Sequence, residues 1–395
     1  MRTISSAGAM KRRTKKHYYT TGVYFAAAAA ASARMLVTGE RVDNIEIETL
    51  SERRVSFELA EQQIKDDYAG CSIIKDAGDE EDATHGMRLN TRAQWAKTDM
   101  SDIFTVDDQT ADISSVAYGH AILIPGEGIG IVTKPGLCVP VGRHALHPQN
   151  KEIIRRNASV HIPPGKTVEV HMSIPCGEKL AERTSDLRLG IKGGISLFET
   201  AGTVRPALNS GSLRLMMAQV DIAAATGFKT LAVSLDDIGV KAAGGSLRFE
   251  EDAVISVNEC MGETLGYCVK KGIEEIVIIG CLAEILLIAG GGIDIKQSGE
   301  KEPAEVMKRI MREHTKDLAP LFLVMMAESV EDAASGLIRM GQTKLLDEVA
   351  GYATQKVKSE IDSSIEIGTV ITCRSGHVLA GDIHSRQIIR KVRGN

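Results

Sequence analysis

Eleven residues, Asp76-Ala-Gly-Asp79-Glu-Glu-Asp82-Ala-Thr-His85-Gly86, gather five acidic groups and one histidine in a turn-rich loop. Carboxylates there can accept hydrogen bonds, and an imidazole can move a proton near neutral pH. Asp79, Asp82 and His85 are therefore candidate catalytic groups. A solvated acidic turn is the competing reading. A calcium loop is excluded, because the alternating ligand spacing and the closing bidentate Glu are missing. Positive charge gathers elsewhere. Arg143-His144, His147, Lys151 and Arg155-Arg156 fall within fourteen residues of a chain whose net charge is −5. Guanidinium forks pair carboxylates bidentately, so this run suits a polyanionic small molecule; a solvated helix face is the alternative.

Two stretches are rich in glycine. Gly126-Glu-Gly128-Ile-Gly130-Ile-Val-Thr-Lys134-Pro-Gly136 lies between two strands and opens no helix, so it is not a dinucleotide fingerprint. Its glycines serve bulges or a tight hairpin equally well, and Lys134 could hold a carboxylate. In Leu187–Pro206, Gly190, Gly193, Gly194 and Gly202 permit positive φ or close backbone approach. Free amides at Gly193 and Gly194 could cradle an anion, and a turn between domains is the alternative. Farther on, apolar runs end at Asp236-Asp237 and at Asn258-Glu259. Open parallel sheets bind ligands beyond the carboxyl ends of their strands, where an acidic side chain accepts ribose hydroxyls. Asp236 and Glu259 thus fit an adenosine-bearing cofactor.

The elements that would position these groups divide at about residue 206. Alternation over 43–60 predicts a hairpin, and short strands are predicted near Cys71–Ile74, Met87–Ala93, Ala121–Ile124, Ile129–Thr133 and Val168–Ser173. Lys151–Ala158 reads as a short helix, and the acidic stretch from Trp95 to Ala117 as an insertion. This half is α+β. Beyond it, the apolar runs Thr230–Leu235, Ala253–Val257, Glu275–Cys281 and Leu321–Ala327 alternate with helices at Ser212–Thr226, Cys260–Lys271, Pro303–Thr315, Val330–Met340 and Lys344–Glu360. That pattern predicts a parallel α/β sheet covered on both faces, and a hairpin of Gly368–Thr372 with His377–Ala380 closes the chain. The expected organisation is a basic leader over 1–16, an α+β domain over 17–206 and a parallel α/β domain over 207–395.

The basic run Lys11–Lys16 followed by Ala26–Ala31 poses a choice between a secretory signal and a first helix. Alanine is weakly hydrophobic and the strongest helix former, and the hydroxyls of Thr20 and Thr21 suit a helix start. A cytoplasmic first helix over 23–36 is expected, with Met10 as a second candidate start. The seven cysteines are scattered without a C-x-x-C pair, which excludes a zinc ribbon and reads as reduced thiols. Aromatic residues make up only 4%, and with an acidic balance this gives no footing for nucleic acid. No apolar run is long enough to span a bilayer.

Together these motifs resemble the cobalt-precorrin-5B C1-methyltransferase family, CbiD. Tyr19-Thr20-Thr21-Gly22 and the alanine helix resemble its opening Y-T-T-G. Asp76–Gly86 is similar to its D-x-G-D-D-x-D-x-T-H-G, and Gly126–Gly136 to its G-G-E-G-[IV]-G-x-V-T-[KR]-x-G, with Pro125 at the first Gly. Pro140–Pro148 resembles P-[VL]-G-x-x-A-[IL]-N-P with His147 for Asn, and Arg188–Pro206 resembles R-L-G-I-x-G-G-I-S-I-x-G-T-T-G-I-V-x-P. The resemblance implies methyl transfer from S-adenosylmethionine to C-1 of a cobalt-containing tetrapyrrole, in cobalamin synthesis. Cobalt enters only as part of that substrate. Such a polycarboxylate substrate would suit Lys134, Arg143, Arg155, Arg156 and Arg205, together with Thr20 and Thr21 of the opening motif, and the methyl donor is expected at Gly193, Gly194, Asp236 and Glu259. The second half departs from the pattern. P-G-N-x-G stands here as Leu235-Asp236-Asp237-Ile-Gly239, and G-H-x-G-K-L-x-K-L-A-A-G as Gly280–Gly290, with Glu284 in place of the cations. A paralogue acting on another tetrapyrrole, or a silent protein binding a corrinoid or adenosyl ligand, is the alternative.

Overall fold

Ala26–Ala31 lie in a helix over Thr21–Thr38, and all six side chains are fully buried. Methyl groups let this helix sit close enough to a sheet for side-chain bonds to reach its backbone. Thr91 Oγ1 donates to Ala28 O at 2.8 Å, and Ser32 Oγ lies 2.6 Å from Thr91 Oγ1. The helix ends where Gly39 turns left-handed at φ 71° and its N–H reaches Met35 O. One expectation fails at its start: Thr20 occupies the N-cap but its side chain caps nothing. Its hydroxyl is buried without a hydrogen-bond partner, because the first-turn amides are met by the Thr20 carbonyl instead.

This computed structural model describes residues 18–78, 82–97, 118–200, 203–204, 210–257, 260–293, 302–361 and 365–394. The chain separates into two compact units, one of 1–133 with 141–207, the other of 134–140 with 208–395. In the first, the alanine helix and the helix Pro148–Ser159 share a core with a five-stranded sheet. Its order is Glu61–Ile64, Tyr68–Ile74, Arg88–Trp95, Thr167–Ser173, His120–Pro125, antiparallel except for the last pair. Asn44–Glu48 and Arg54–Glu58 form the hairpin that alternation predicts.

The second unit is a five-stranded sheet in the order Val254–Ser256, Thr230–Ser234, Glu275–Cys281, Glu366–Thr372, Val378–Gly381; the first four strands are parallel and the last antiparallel. Central strands buried on both faces explain the unbroken apolar run Ile276–Ile279. Two expectations are corrected. Leu321–Ala327 is not a strand: Leu318–Met326 is a helix, because Asp317 caps Ala319 N at 3.1 Å and Pro320 suits its first turn. Nor does the hairpin end the chain, since Asp382 accepts from Ser385 N at 2.8 Å and starts a helix over Ile383–Gly394. Among the described residues no helix is long and apolar enough to cross a membrane.

Candidate functional site

Motifs far apart in sequence converge in the first unit. Tyr18–Tyr19 pairs with Thr203–Val204, so the Tyr-Thr-Thr-Gly start lies beside the end of the second glycine stretch. Gly128–Ile129 pairs with Gly194–Ile195 and Ile131–Val132 with Ile191–Lys192, which interleaves the two glycine-rich stretches. A Cβ on Gly194 would lie 2.2 Å from Gly128 O, so glycine here permits backbone-to-backbone contact. Asn150 ties in the basic segment, its Nδ2 donating to Leu197 O at 2.8 Å and Glu199 O at 3.0 Å. The acidic loop joins through Tyr24, whose hydroxyl donates to Asp76 O at 2.9 Å, and through Gly78, which abuts the Tyr18 ring.

Within the acidic loop Asp82 is engaged on both oxygens. Oδ2 accepts from Lys75 Nζ at 2.9 Å, while Oδ1 accepts from Thr84 N at 2.7 Å and Thr84 Oγ1 at 2.6 Å. Burial pushes its pKa up, but the Thr84 bonds and the Lys75 charge outweigh burial and hold it below the ordinary carboxylate value. Lys75, whose side chain is 1% exposed, also donates to Thr84 Oγ1 at 2.5 Å. Asp82 thus neutralises a buried cation and closes the loop. His85 is the half-exposed member; its Nδ1 accepts from Ala77 N at 3.2 Å and stands 4.0 Å from Asp76 Oδ1. Asp79 lies outside the described residues, as do Arg205, Gly202 and Glu259.

Among the described residues, the expected substrate-binding cations Arg155, Arg156 and Lys134 already have partners. Arg155 meets Glu152 at 2.6 Å, and Arg156 reaches Thr49 O at 3.2 Å and the Glu48 carboxylate at 3.5 Å. Arg143 is exposed, on a backbone whose carbonyl accepts from Val132 N at 2.9 Å. Lys134 belongs to the second unit, where its Nζ pairs with Asp252 at 2.5 Å. Thr20 and Thr21 are buried at the start of the alanine helix. Gly193 is left-handed at φ 79°, beside the contact that Gly194 makes with Gly128.

Strand order defines a second place for a ligand, in the second unit. After Thr230–Ser234 the chain crosses to one side of the sheet, to Val254–Ser256; after Glu275–Cys281 it crosses to the other. The carboxyl ends of these two neighbours form a topological switch point, the usual crevice of an open parallel sheet. Asp236 sits there as the N-cap of the helix Asp237–Gly244, accepting from Gly239 N at 2.5 Å. Across from it Cys281 caps the helix Leu282–Gly290, and its N–H donates to Glu284 Oε2 at 3.0 Å. One ligand-type atom from each of Asp236, Cys281 and Glu284 lies within 4.8 Å of the others. Burial first, and then the neighbouring Asp236 carboxylate, raise the Glu284 pKa over the favourable bond from Cys281 N–H. Burial also pushes the Cys281 thiol up to about 11, so it stays protonated at neutral pH. The arrangement presents carboxyl oxygens to a cation or to hydroxyl donors.

Sequence reasoning missed Lys75, Tyr24 and Asn150. Lys75 carried a signal: a cation closing the apolar strand segment Ser72–Ile74 faces inward and demands a carboxylate. Asn150 carried none, because its partners are main-chain carbonyls.

The CbiD family model matches residues 9–206. A cobalt-precorrin-5B C(1)-methyltransferase from Geotalea daltonii is 32% identical over 82% of this chain and 92% of its own length. One of the same name from Methanocaldococcus jannaschii is 29% identical over 88% and 91%. A crystal structure of a cobalamin biosynthesis protein (cbiD) from Archaeoglobus fulgidus aligns at 20% identity with a TM-score of 0.33, covering 75% of this chain and 84% of that one. The chain is a mixed α/β protein and belongs to the CbiD family.

Proposed function

We propose that this protein methylates C-1 of cobalt-precorrin-5B with S-adenosylmethionine as donor, giving cobalt-precorrin-6A in anaerobic cobalamin synthesis. The supporting observation is the correspondence with the Geotalea daltonii methyltransferase over 82% of this chain and 92% of that one. The convergence of the shared motifs in the first unit agrees with it. When bound, the donor supplies an electrophilic methyl whose bond to sulfur breaks as the bond to C-1 forms. The chain's contribution to such a transfer is alignment. Asp236 and Glu284 at the switch point offer oxygens that suit a cationic donor bearing two ribose hydroxyls. Arg143, Arg155 and Arg156 bind substrate carboxylates, the last two trading surface ion pairs that are individually weak. Asp82 and Lys75 act by holding the loop that presents His85. A cytoplasmic site of action is part of this reading, and the seven cysteines, all free thiols, agree with it.

The deciding experiment incubates the protein with S-adenosylmethionine and cobalt-precorrin-5B and reads product mass. One added methyl is expected, with one S-adenosylhomocysteine released per product. No mass change while both ligands bind would favour a silent binding protein. A paralogue is favoured by one observation, Glu284 standing where the resembled pattern carries a cation. It would methylate a less acidic tetrapyrrole and leave cobalt-precorrin-5B unchanged.

A further inference from the structure

The helix Leu318–Met326 is inside out. Its nine residues carry no charge, yet only Pro320 and Val324 are buried. Leu318, Phe322, Met325 and Met326 are 78%, 66%, 53% and 67% exposed, and their spacing of four, three and one puts them on one face. The neighbouring helix Val330–Arg339 and its end add exposed Ile338 and Met340. A groove of about 390 Å³ runs between the two helices, with Phe322 and Met326 on one wall and Met340 on the other. The helices touch where Gly336 admits Leu323, since a Cβ there would lie 2.6 Å from Leu323 Cδ1. Monomers rarely expose a contiguous apolar patch beyond about 300–600 Å², and these six side chains together reach roughly that upper limit.

We propose that this face is a homodimer interface, its occupant the same face of a second copy. Three features select a second copy. The patch holds both knobs (Phe322, Met325, Met326) and the groove that would receive them, as a surface meeting itself about a twofold axis requires. Its charges are self-complementary. Asp332 and Arg339 line the groove, both exposed, seven residues apart on one face of their helix. Antiparallel packing of that helix on its copy sets each Asp332 against the other Arg339. Finally, the apolar area is commensurate: a standard-size interface of about 800 Å² per partner with about 65% apolar character needs roughly 500 Å². An anionic bilayer is disfavoured by Asp317, Glu328, Glu331 and Asp332 around the patch, against Lys316 and Arg339.

Sedimentation velocity on the full chain through the micromolar range tests this. The wild type should sediment as a dimer, and Phe322→Glu as a monomer with an unchanged circular dichroism spectrum. Asp332→Arg and Arg339→Asp should each weaken the dimer about tenfold or more by setting like charges together, and the double reversal should recover it. Recovery is the discriminating result, because neither misfolding nor loss of apolar contact produces it. A wild type monomeric throughout overturns the proposal, as does a dimer that survives Phe322→Glu or a double reversal no tighter than the single variants. Flotation of monomer with phosphatidylserine vesicles would overturn it in favour of a membrane surface.

Discussion

Asp82→Ala separates a structural carboxylate from a catalytic one. The substitution leaves the Lys75 ammonium, 1% exposed, with a hydrogen bond to Thr84 Oγ1 in place of a counter-ion, and deletes the Oδ1 bonds that shape the turn. At 2.9 Å and an effective dielectric of 20, the lost attraction is about 6 kcal/mol before desolvation is subtracted. Removing one member of a buried pair costs about 3–5 kcal/mol, because the other charge is left uncompensated. At roughly 2–4 °C per kcal/mol for a unit of this size, melting should fall by about 6–20 °C. Lys75→Met should cost less, since Asp82 is 23% exposed and keeps Thr84, and the double variant should cost less than the sum. The pair also sets a pH dependence. Asp82 has a lowered folded-state pKa, so its stabilisation is complete above the ordinary carboxylate range and is lost as pH falls through that lowered value. Differential scanning calorimetry on the three variants from neutral to acid pH is the assay. Unchanged melting of Asp82→Ala with a collapse in turnover would refute the structural assignment and make Asp82 a participant in the chemistry.

Glu284→Gln should raise melting at neutral pH and leave it unchanged in acid. A raised folded-state carboxyl pKa means the folded chain holds its proton longer, so wild-type stability falls as pH rises through that pKa, and glutamine does not ionise. A variant less stable at neutral pH would show that Glu284 is there to be charged. Alanine at Arg143, Arg155 or Arg156 should weaken substrate binding by about 1–3 kcal/mol while S-adenosylhomocysteine affinity holds. Asp236→Ala should do the reverse, and calorimetric titration of both ligands against all four variants reads the pattern. An equal loss of both ligands in every variant would place the defect in folding instead.

Much of the secondary structure was legible because burial writes itself into periodicity. Continuous Ile-Val runs marked Glu275–Cys281 within the parallel sheet, and Lys344–Glu360 agrees at both ends. Leu321–Ala327 misled for the same reason. An apolar run reads as a buried strand, whereas Leu318–Met326 turns its apolar side to solvent. Local chemistry sufficed for turn residues and not for roles. Nothing in Asp76–Gly86 says that Asp82 answers Lys75, because that pairing depends on which way the preceding strand faces. Lys134 lies in a glycine stretch that begins in the first unit, yet it belongs to the second, where its partner Asp252 is 118 residues away in sequence.

The two halves of the chain differ in what holds their motifs. In the first unit the glycines permit close backbone approach, Gly194 lying on Gly128 and Gly128 on Ile174, so a side chain at either would disturb a backbone contact far away in sequence. Each is held by a different backbone neighbour, since a Cβ on Gly194 would meet Gly128 O at 2.2 Å and a Cβ on Gly128 would meet Ile174 O at 1.9 Å. At the switch point the positions are helix caps. Asp236 caps one helix and Glu284, at the third position of the other, accepts from the N-cap amide of Cys281, roles that other polar side chains can fill without disturbing the sheet. The scaffold therefore leaves those two positions open to selection by the ligand. An acidic pair there suits a cation or a diol better than it suits a polycarboxylate.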